Sequence, residues 1–483
     1  MTLAFETARQ LAQKIRAREI SSRELTDLYI QRIEKHDPAV NAVVVRDFER
    51  AREAAAAADE ALARGDEVGP LHGLPMTIKE AYDVEGLPTT WGIPAFKDNI
   101  ATGAAESVKR YRSAGAHFLG KTNVPLQLGD FQSYNEIYGT TSNPWNLERT
   151  PGGSSGGSSA ALAAGLAPLE SGSDIGGSIR NPAHFCGVYG HKPTHGIVPD
   201  QGHALPGMVA SPDIAVVGPL ARSAEDLALA MELLAGADPF HELGWRLALP
   251  APRHRELADF RVALWPTEAR APVSSEVADR VQQLGDRLAG LGATVSDVAR
   301  PAFDVETSHA TYLTMLNGVM SAGLPDDIFE GMQHGARSLD AGDESDDARM
   351  LRAAVQTHRD WVRAGHVRAR LRLAWKAFFE DFDIVLCPQM ATAAFPHDHS
   401  PFLSRTLQID DTVRPYFEQV FWAGLPTVSY LPSTVFPTGP SKEGLPIGLQ
   451  AVGAEFDDAT CIEFARLIAL EIGGFVPPPG YED

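Results

Sequence analysis

An α/β layered sheet is the fold class this sequence predicts, and three observations point to it. Strand-like and helix-like apolar patterns alternate along much of the 483-residue chain. Hydrophobic residues make up 44% and aromatics 8%, enough for a large buried core and unlike a disordered or fibrous chain. From about residue 69 the apolar runs are short and broken by Gly and Pro, as strands joined by turns require.

Residues 1–65 read as helical. Ser21 and Glu24 have capping-box spacing, and Leu25, Leu28, Tyr29 and Ile33 then share one helical face. An alanine-rich helix over 51–63 ends near Gly65. LPMTIKEAYDV from Leu74 reads as a strand, SVKRYRSAGA from Ser107 as a helix closed at Gly115, and HFLGKTN from His117 as another strand. FRVALWP from Phe260 and ATVSDV from Ala293 read as strands around a helix marked by Val277, Val281, Leu284 and Leu288. Residues 303–381 are mostly helical, interrupted at 340–347 by DAGDESDD, read as a solvated loop. FDIVLCP from Phe382, LPTVSYLP from Leu425 and LPIGLQAVG from Leu445 read as late strands, and a helix follows from Asp457. No internal repeat or linker stands out.

Charge narrows the partners. With 42 basic and 63 acidic residues the net charge is −21, which repels phosphate backbones and anionic lipid. Nucleic acid and membrane are therefore not expected as partners. Cys186, Cys387 and Cys461 lie far apart and form neither a metal spacing nor a disulfide framework, which fits a reducing compartment. The N-terminal residues carry no apolar signal region, and no run reaches about 18 apolar residues. A soluble, cytoplasmic protein is the expectation.

Residues 151–194, PGGSSGGSSAALAAGLAPLESGSDIGGSIRNPAHFCGVYGHKPT, carry the chemistry. Gly-Gly-Ser occurs three times there, ending at Ser154, Ser158 and Ser178, and the first and last carry the candidate serines. GGSSGGSS alone would read as a flexible linker. Here it leads into the apolar helix former AALAAGLA, and the group ending at Ser178 follows the turn-like SGSD. Glycines let backbone N–H groups converge on a ligand, and such a cradle stabilises an oxyanion in acyl transfer. Ser178 directly follows Ile175-Gly176-Gly177, beside such a cradle.

A nucleophilic serine needs a base, and the readings compete. Gly152–Gly156 fits G-x-S-x-G, but the preceding NPWNLERT is polar and turn-like where a nucleophile elbow needs a buried strand. Gly190–Thr194 lacks the spacing of a phosphate loop. Lys79 ends the apolar run Leu74–Ile78. Buried there, its amine would lose charge and serve as a general base. A surface lysine paired with Glu80 stays open at this point. His184 with His191, and His397-Asp398-His399, lack a third ligand and read as surface or supporting histidines and an exposed loop.

Together these segments closely resemble the amidase signature family. GLPMTIKEAYDVEG around Lys79, NPWNLERTPGGSSGGSSAALAAG around Ser154 and SGSDIGGSIRNPAHFCGVYGHKPT around Ser178 carry the likeness. The three residues stand 75 and 24 positions apart in order along the chain. The resemblance implies one α/β domain over 1–483. That domain has a large twisted mixed sheet covered by helices on both faces, a signature core at about 70–235 and a variable helical cover at about 303–381. It implies a Ser-cisSer-Lys triad: Ser178 attacks, Ser154 relays the proton and neutral Lys79 accepts it. It assigns the oxyanion hole to the N–H groups of Ile175, Gly176, Gly177 and Ser178, and supporting roles to Ser155, Asp174 and Arg180. No cofactor and no metal are implied. His191 departs from the apolar residue usual before the Lys-Pro-Thr of this motif.

The implied activity is hydrolysis of amide-type C–N bonds in small, aryl or peptide amides. Carbamates (urethanes) and esters are variants of the same chemistry. The alternative is the glutamine-hydrolysing subunit of a tRNA-dependent amidotransferase, from whose pattern Ser211–Val216 departs. A silent binding protein on this fold is disfavoured by intact Lys79, Ser154 and Ser178. A small-molecule substrate is expected, a homo-oligomer stays open, and Phe131, Tyr134 and Tyr138 are candidates for the substrate pocket. Met315, Met320 and Met332 could make the helical cover adaptable.

Overall fold

The structure, a computed structural model, describes residues 2–482. Eight strands form one mixed sheet in the order Thr294–Ser296, Arg261–Leu264, Ile384–Pro388, Pro446–Val452, Ser433–Pro440, Tyr189–Lys192, Val216–Ala221 and Leu169–Asp174. The first three run parallel, and every later neighbour is antiparallel. A separate three-stranded sheet places His117–Thr122 between Val43–Arg46 and Pro75–Lys79.

Helices cover both faces of the large sheet. Successive strand residues point to opposite sides. At Gly448 an added Cβ would lie 2.9 Å from the His184 Cα, in the helix Arg180–Cys186. Phe436 pairs with Leu449, one residue along, and its ring meets Phe464 of the helix Asp458–Ile472 at 6.2 Å. The two helices therefore pack on opposite faces. Local rules hold at the periphery as well. Ser21 caps the helix Ser22–Val40 in a reciprocal box with Glu24, and Gly65 ends the helix Phe48–Arg64 at φ 81°.

Three segments differ from the sequence reading. Val43–Arg46, inside the span 1–65 read as helical, is a strand, its β-branched run drawn into pairing with His117–Thr122. SGSD belongs to the strand Leu169–Asp174, wholly buried and paired along its length with Val216–Ala221. Its small residues suit a tight overlay, since a Cβ on Gly172 would meet Ser155 Oγ at 2.6 Å. LPTVSYLP is no strand: Val420–Thr427 is a helix, and the strand begins at Ser433. A fully buried apolar run has no period by which to choose. Pro426 cannot donate to the carbonyl four residues back. The Gln450 amide takes that Trp422 carbonyl at 2.8 Å, which lets the helix stand.

The cover comprises Val305–Ser321, Asp326–Ser338, Asp346–Ala354 and His358–Asp381. The acidic run is a loop only as far as Ser345. Asp346 and Asp347 open a helix, where its N-terminal dipole favours them, and Asp346 pairs with Arg270. Among the described residues no helix is long and apolar enough to cross a membrane.

Candidate active site

Lys79 is the last residue of the strand Pro75–Lys79 and has no exposed surface. Its Nζ lies 2.6 Å from Ser154 Oγ and 2.9 Å from Ser173 Oγ. Burial penalises the ammonium and lowers the pKa to about 7, against the opposing pull of Asp174 and Glu170. Glu80 does not pair with it. That carboxylate accepts the N–H groups of Thr90 and Trp91 at 2.7 and 3.0 Å, and the Tyr138 hydroxyl at 3.1 Å. The surface-lysine reading therefore fails.

Ser154 follows a cis Gly153–Ser154 peptide bond. Asn181 clasps Gly153, accepting its N–H at 3.0 Å and donating to its carbonyl. No larger residue fits at 153, where a Cβ would lie 2.4 Å from Asp130 O. The next residue, Ser155, donates its N–H to Ser178 O at 3.0 Å, tying the two serine loops together. Its hydroxyl sits 3.5 Å from Ser173 O.

Ser178 stands in the turn between the strand Leu169–Asp174 and the helix Arg180–Cys186. Gly177 holds φ 96° there, a left-handed conformation that favours glycine. Asp174 organises the turn. It accepts the Gly177 N–H at 2.9 Å and the Ile179 N–H at 3.1 Å, and takes Arg180 through Nη2 at 2.8 Å and Nε at 3.0 Å. Burial alone would raise this carboxyl, but the Arg180 charge and hydrogen bonds hold it below the ordinary value. Arg180 reaches on to Thr427 Oγ1 and Gln450 Oε1.

One predicted oxyanion donor is therefore spent, because the Gly177 N–H already serves Asp174. The N–H groups of Ile175, Gly176 and Ser178 have no protein acceptor among the described residues. Tyr312 fixes this loop from the cover, its hydroxyl donating to Ile175 O at 3.0 Å. Ser154 and Ser178 line one cavity but are not hydrogen-bonded to each other among the described residues.

Two chambers meet at Ser178. The smaller, of about 130 Å³, contains Ser154, Ser173, Trp91 and His203. The larger, of about 610 Å³, contains Gly176, Phe131, Leu316 and Met332. Met320 lines both, whereas Met315 is buried in the core.

Of the pocket aromatics only Phe131 reaches a chamber. Tyr134 stacks on His399 at 3.8 Å and accepts from Arg405, while Tyr138 is held by Glu80, so both are structural. Their short hairpin, Tyr134–Asn135 with Gly139–Thr140, makes those contacts instead of lining either chamber. His184 and His191 are not surface residues. They are fully buried, the first bonding Gly448 and Thr392 carbonyls and the second Thr434 and Asp458. No cluster of metal-binding side chains occurs among the described residues. Sequence reasoning missed Ser173, Asn181, Tyr312 and His203. Reading SGSD as a strand would have put Ser171 and Ser173 on one face and flagged the latter.

Comparisons with known proteins agree with this geometry. The family model described as Amidase matches residues 24–462. The chain is 35% identical to a glutamyl-tRNA(Gln) amidotransferase subunit of Moorella thermoacetica, with 96% of each chain covered. It is 33% identical to the indoleacetamide hydrolase of Bradyrhizobium diazoefficiens, over 96% of this chain and 86% of that one. A solved bacterial aryl acylamidase superposes with a TM-score of 0.81 at 26% identity, covering 97% of this chain and 96% of its own. The chain belongs to the amidase signature family, and its reaction class is hydrolysis of an amide C–N bond.

Proposed function

We propose that Ser178 is the nucleophile, Ser154 the proton relay and Lys79 the base of a hydrolase for amides with an apolar acyl group. The observation that carries this reading is the 2.6 Å contact between a buried amine of lowered basicity and Ser154, beside Ser178. Neutral Lys79 takes the Ser154 proton as Ser154 takes that of Ser178, whose oxygen bonds to the substrate carbonyl carbon. The link between the two serines closes as substrate enters, as catalytic hydrogen bonds commonly do. The N–H groups of Ile175, Gly176 and Ser178 stabilise the oxyanion. Ser154 then returns the proton to the departing nitrogen, the C–N bond breaks, and water hydrolyses the acyl-enzyme. Asp174, Arg180 and Ser155 hold the loops, and neither cofactor nor metal takes part in this scheme. Carbamates and esters present the same carbonyl and extend the candidate range.

A second reading, a glutamine-hydrolysing subunit working with partner chains, is favoured by the 35% identity to the Moorella thermoacetica protein. Against it, no lysine or arginine lines either chamber among the described residues to receive an α-carboxylate. The buried thiols of Cys186, Cys387 and Cys461 support a reducing, cytoplasmic setting. Fluorophosphonate labelling and a turnover screen across anilides, primary amides, carbamates, esters and glutamine test the proposal. Ser178→Ala should lose the label and lower kcat/KM by roughly 10⁴-fold or more. Product from glutamine alone, and only with an added partner complex, would favour the second reading.

A further inference from the structure

The mechanism leaves the smaller chamber to be explained. Ser154 returns the proton to the departing nitrogen, so the leaving amine lies on the side that Ser154 lines. That is the chamber of about 130 Å³. A cavity of about 150 Å³ suffices for benzene, so a compact amine fits and a long one does not.

One wall of this chamber is built against local preference. Trp91, Gln127 and Leu128 all line it, and all three hold left-handed backbone, at φ 55°, 52° and 59°. Residues with a bulky side chain avoid that region, and the strain persists only where the surroundings enforce it, commonly at ligand sites. Here the buried Glu80 carboxylate accepts the Trp91 N–H at 3.0 Å, and the indole donates to Ala81 O at 3.2 Å. Trp91 O in turn accepts the Gln127 N–H at 2.8 Å. A run of bonds from a buried carboxylate thus fixes Gln127 at the chamber.

The other polar side chains along it are spent. Ser154 and Ser173 meet Lys79, Asp174 holds Arg180, Asp200 accepts the Ser211 hydroxyl, and His203 Nε2 is enclosed. Ser178 is the nucleophile. Gln127 is half-buried, and its carboxamide is neither enclosed nor hydrogen-bonded among the described residues.

We propose that Gln127 selects the leaving group: its carboxamide pairs with a neutral carboxamide carried by the leaving amine, as in an amino-acid amide. This deepens the hydrolase reading and rests on it. A carboxamide offers both a donor and an acceptor, which another carboxamide matches. Asp174 and Asp200 line the chamber and no lysine or arginine does, so a carboxylate in the same place meets no cation and two acidic side chains. Glycinamide, smaller than benzene, is the simplest amine of this class.

The test uses N-benzoyl derivatives of glycinamide, of isobutylamine (its apolar isostere) and of glycine (its carboxylate isostere). Cleavage at the benzoyl carbon consumes water and releases benzoate and the amine, so benzoate is the product followed. Gln127→Met should lower the kcat/KM ratio of the glycinamide to the isobutylamine derivative on the order of tenfold, the worth of one hydrogen bond. Gln127→Lys should instead raise the ratio of the glycine to the isobutylamine derivative by a similar factor. Equal changes on all three substrates, or unmoved ratios, overturn the proposal. Ammonia in place of benzoate from the glycinamide derivative also overturns it. Calorimetry with Ser178→Ala enzyme should show the glycinamide derivative binding several-fold more weakly once Gln127→Met is added, with the isobutylamine derivative unaffected. Equal weakening of both overturns it as well. The underlying reading fails separately, by retention of benzoate release in Ser178→Ala itself.

Discussion

Lys79 and Lys121 stand on adjacent strands of the three-stranded sheet, both fully buried, yet they meet different partners. Burial lowers Lys79 to about 7 and Lys121 to about 8, so basicity hardly separates them. Their partners do. Lys121 donates to the Pro88 carbonyl and, at 3.0 Å, to Thr89 Oγ1, whose own proton is directed to the Tyr82 carbonyl at 3.3 Å. Neither partner has a proton to offer. Lys79 meets the hydroxyl of Ser154, a donor as well as an acceptor. In the proposed mechanism a depressed pKa makes a neutral amine available, and an adjacent hydroxyl with an uncommitted proton makes it the base.

The widest separation should come from paired substitutions. Lys79→Met should lower kcat/KM by roughly 10³-fold or more, the loss of a general base in a coupled triad. Lys121→Met should keep kcat while costing roughly 1–3 kcal/mol in denaturant unfolding, from the two lost anchoring bonds. Comparable losses of kcat in both variants would erase the distinction.

The pH dependence sharpens it further. Protonated Lys79 cannot accept the Ser154 proton, so kcat/KM should fall tenfold per unit below about 7 and flatten above. Stability follows the same group. The folded pKa lies below the unfolded value of 10.5, so between about 7 and 10.5 the unfolded chain binds the extra proton. Stability from this group therefore rises with pH across that window. Unfolding measured at pH 7 and pH 9 should show Lys79→Met lacking that share of the gain.

The smallest effect is expected at Ser173, which accepts an N–H from Lys79 and so turns the lone pair toward Ser154. Ser173→Ala should lower kcat/KM on the order of tenfold. It should also move the kinetic pKa below about 7, because the ammonium loses an acceptor. A lower rate with an unmoved pH profile would make Ser173 merely a packing residue.

Much of the fold was legible because local rules agreed with one another. The Ser21–Glu24 box, the Gly65 and Gly115 turns and the 277–288 stripe each fell within the expected element. Of the segments that resisted, two did so for opposite reasons. SGSD has turn residues that the strand Val216–Ala221 recruits by pairing, whereas LPTVSYLP has strand residues in a helix whose missing bond Gln450 replaces. The seats of Tyr134 and Tyr138 were invisible because Arg405 and Glu80 come from elsewhere in the chain.

By itself the sequence singled out the candidate reacting groups. Two Gly-Gly-Ser turns and a lysine ending an apolar strand are local features, set by glycine's conformational freedom and by hydrophobic pattern. Only the tertiary structure decided which way Lys79 faces, which glycine N–H remains available, and that His203 joins the site from 124 positions beyond Lys79. Charge state, hydrogen-bond commitment and shared cavities depend on what surrounds a group in space, and no local pattern of residues contains that information.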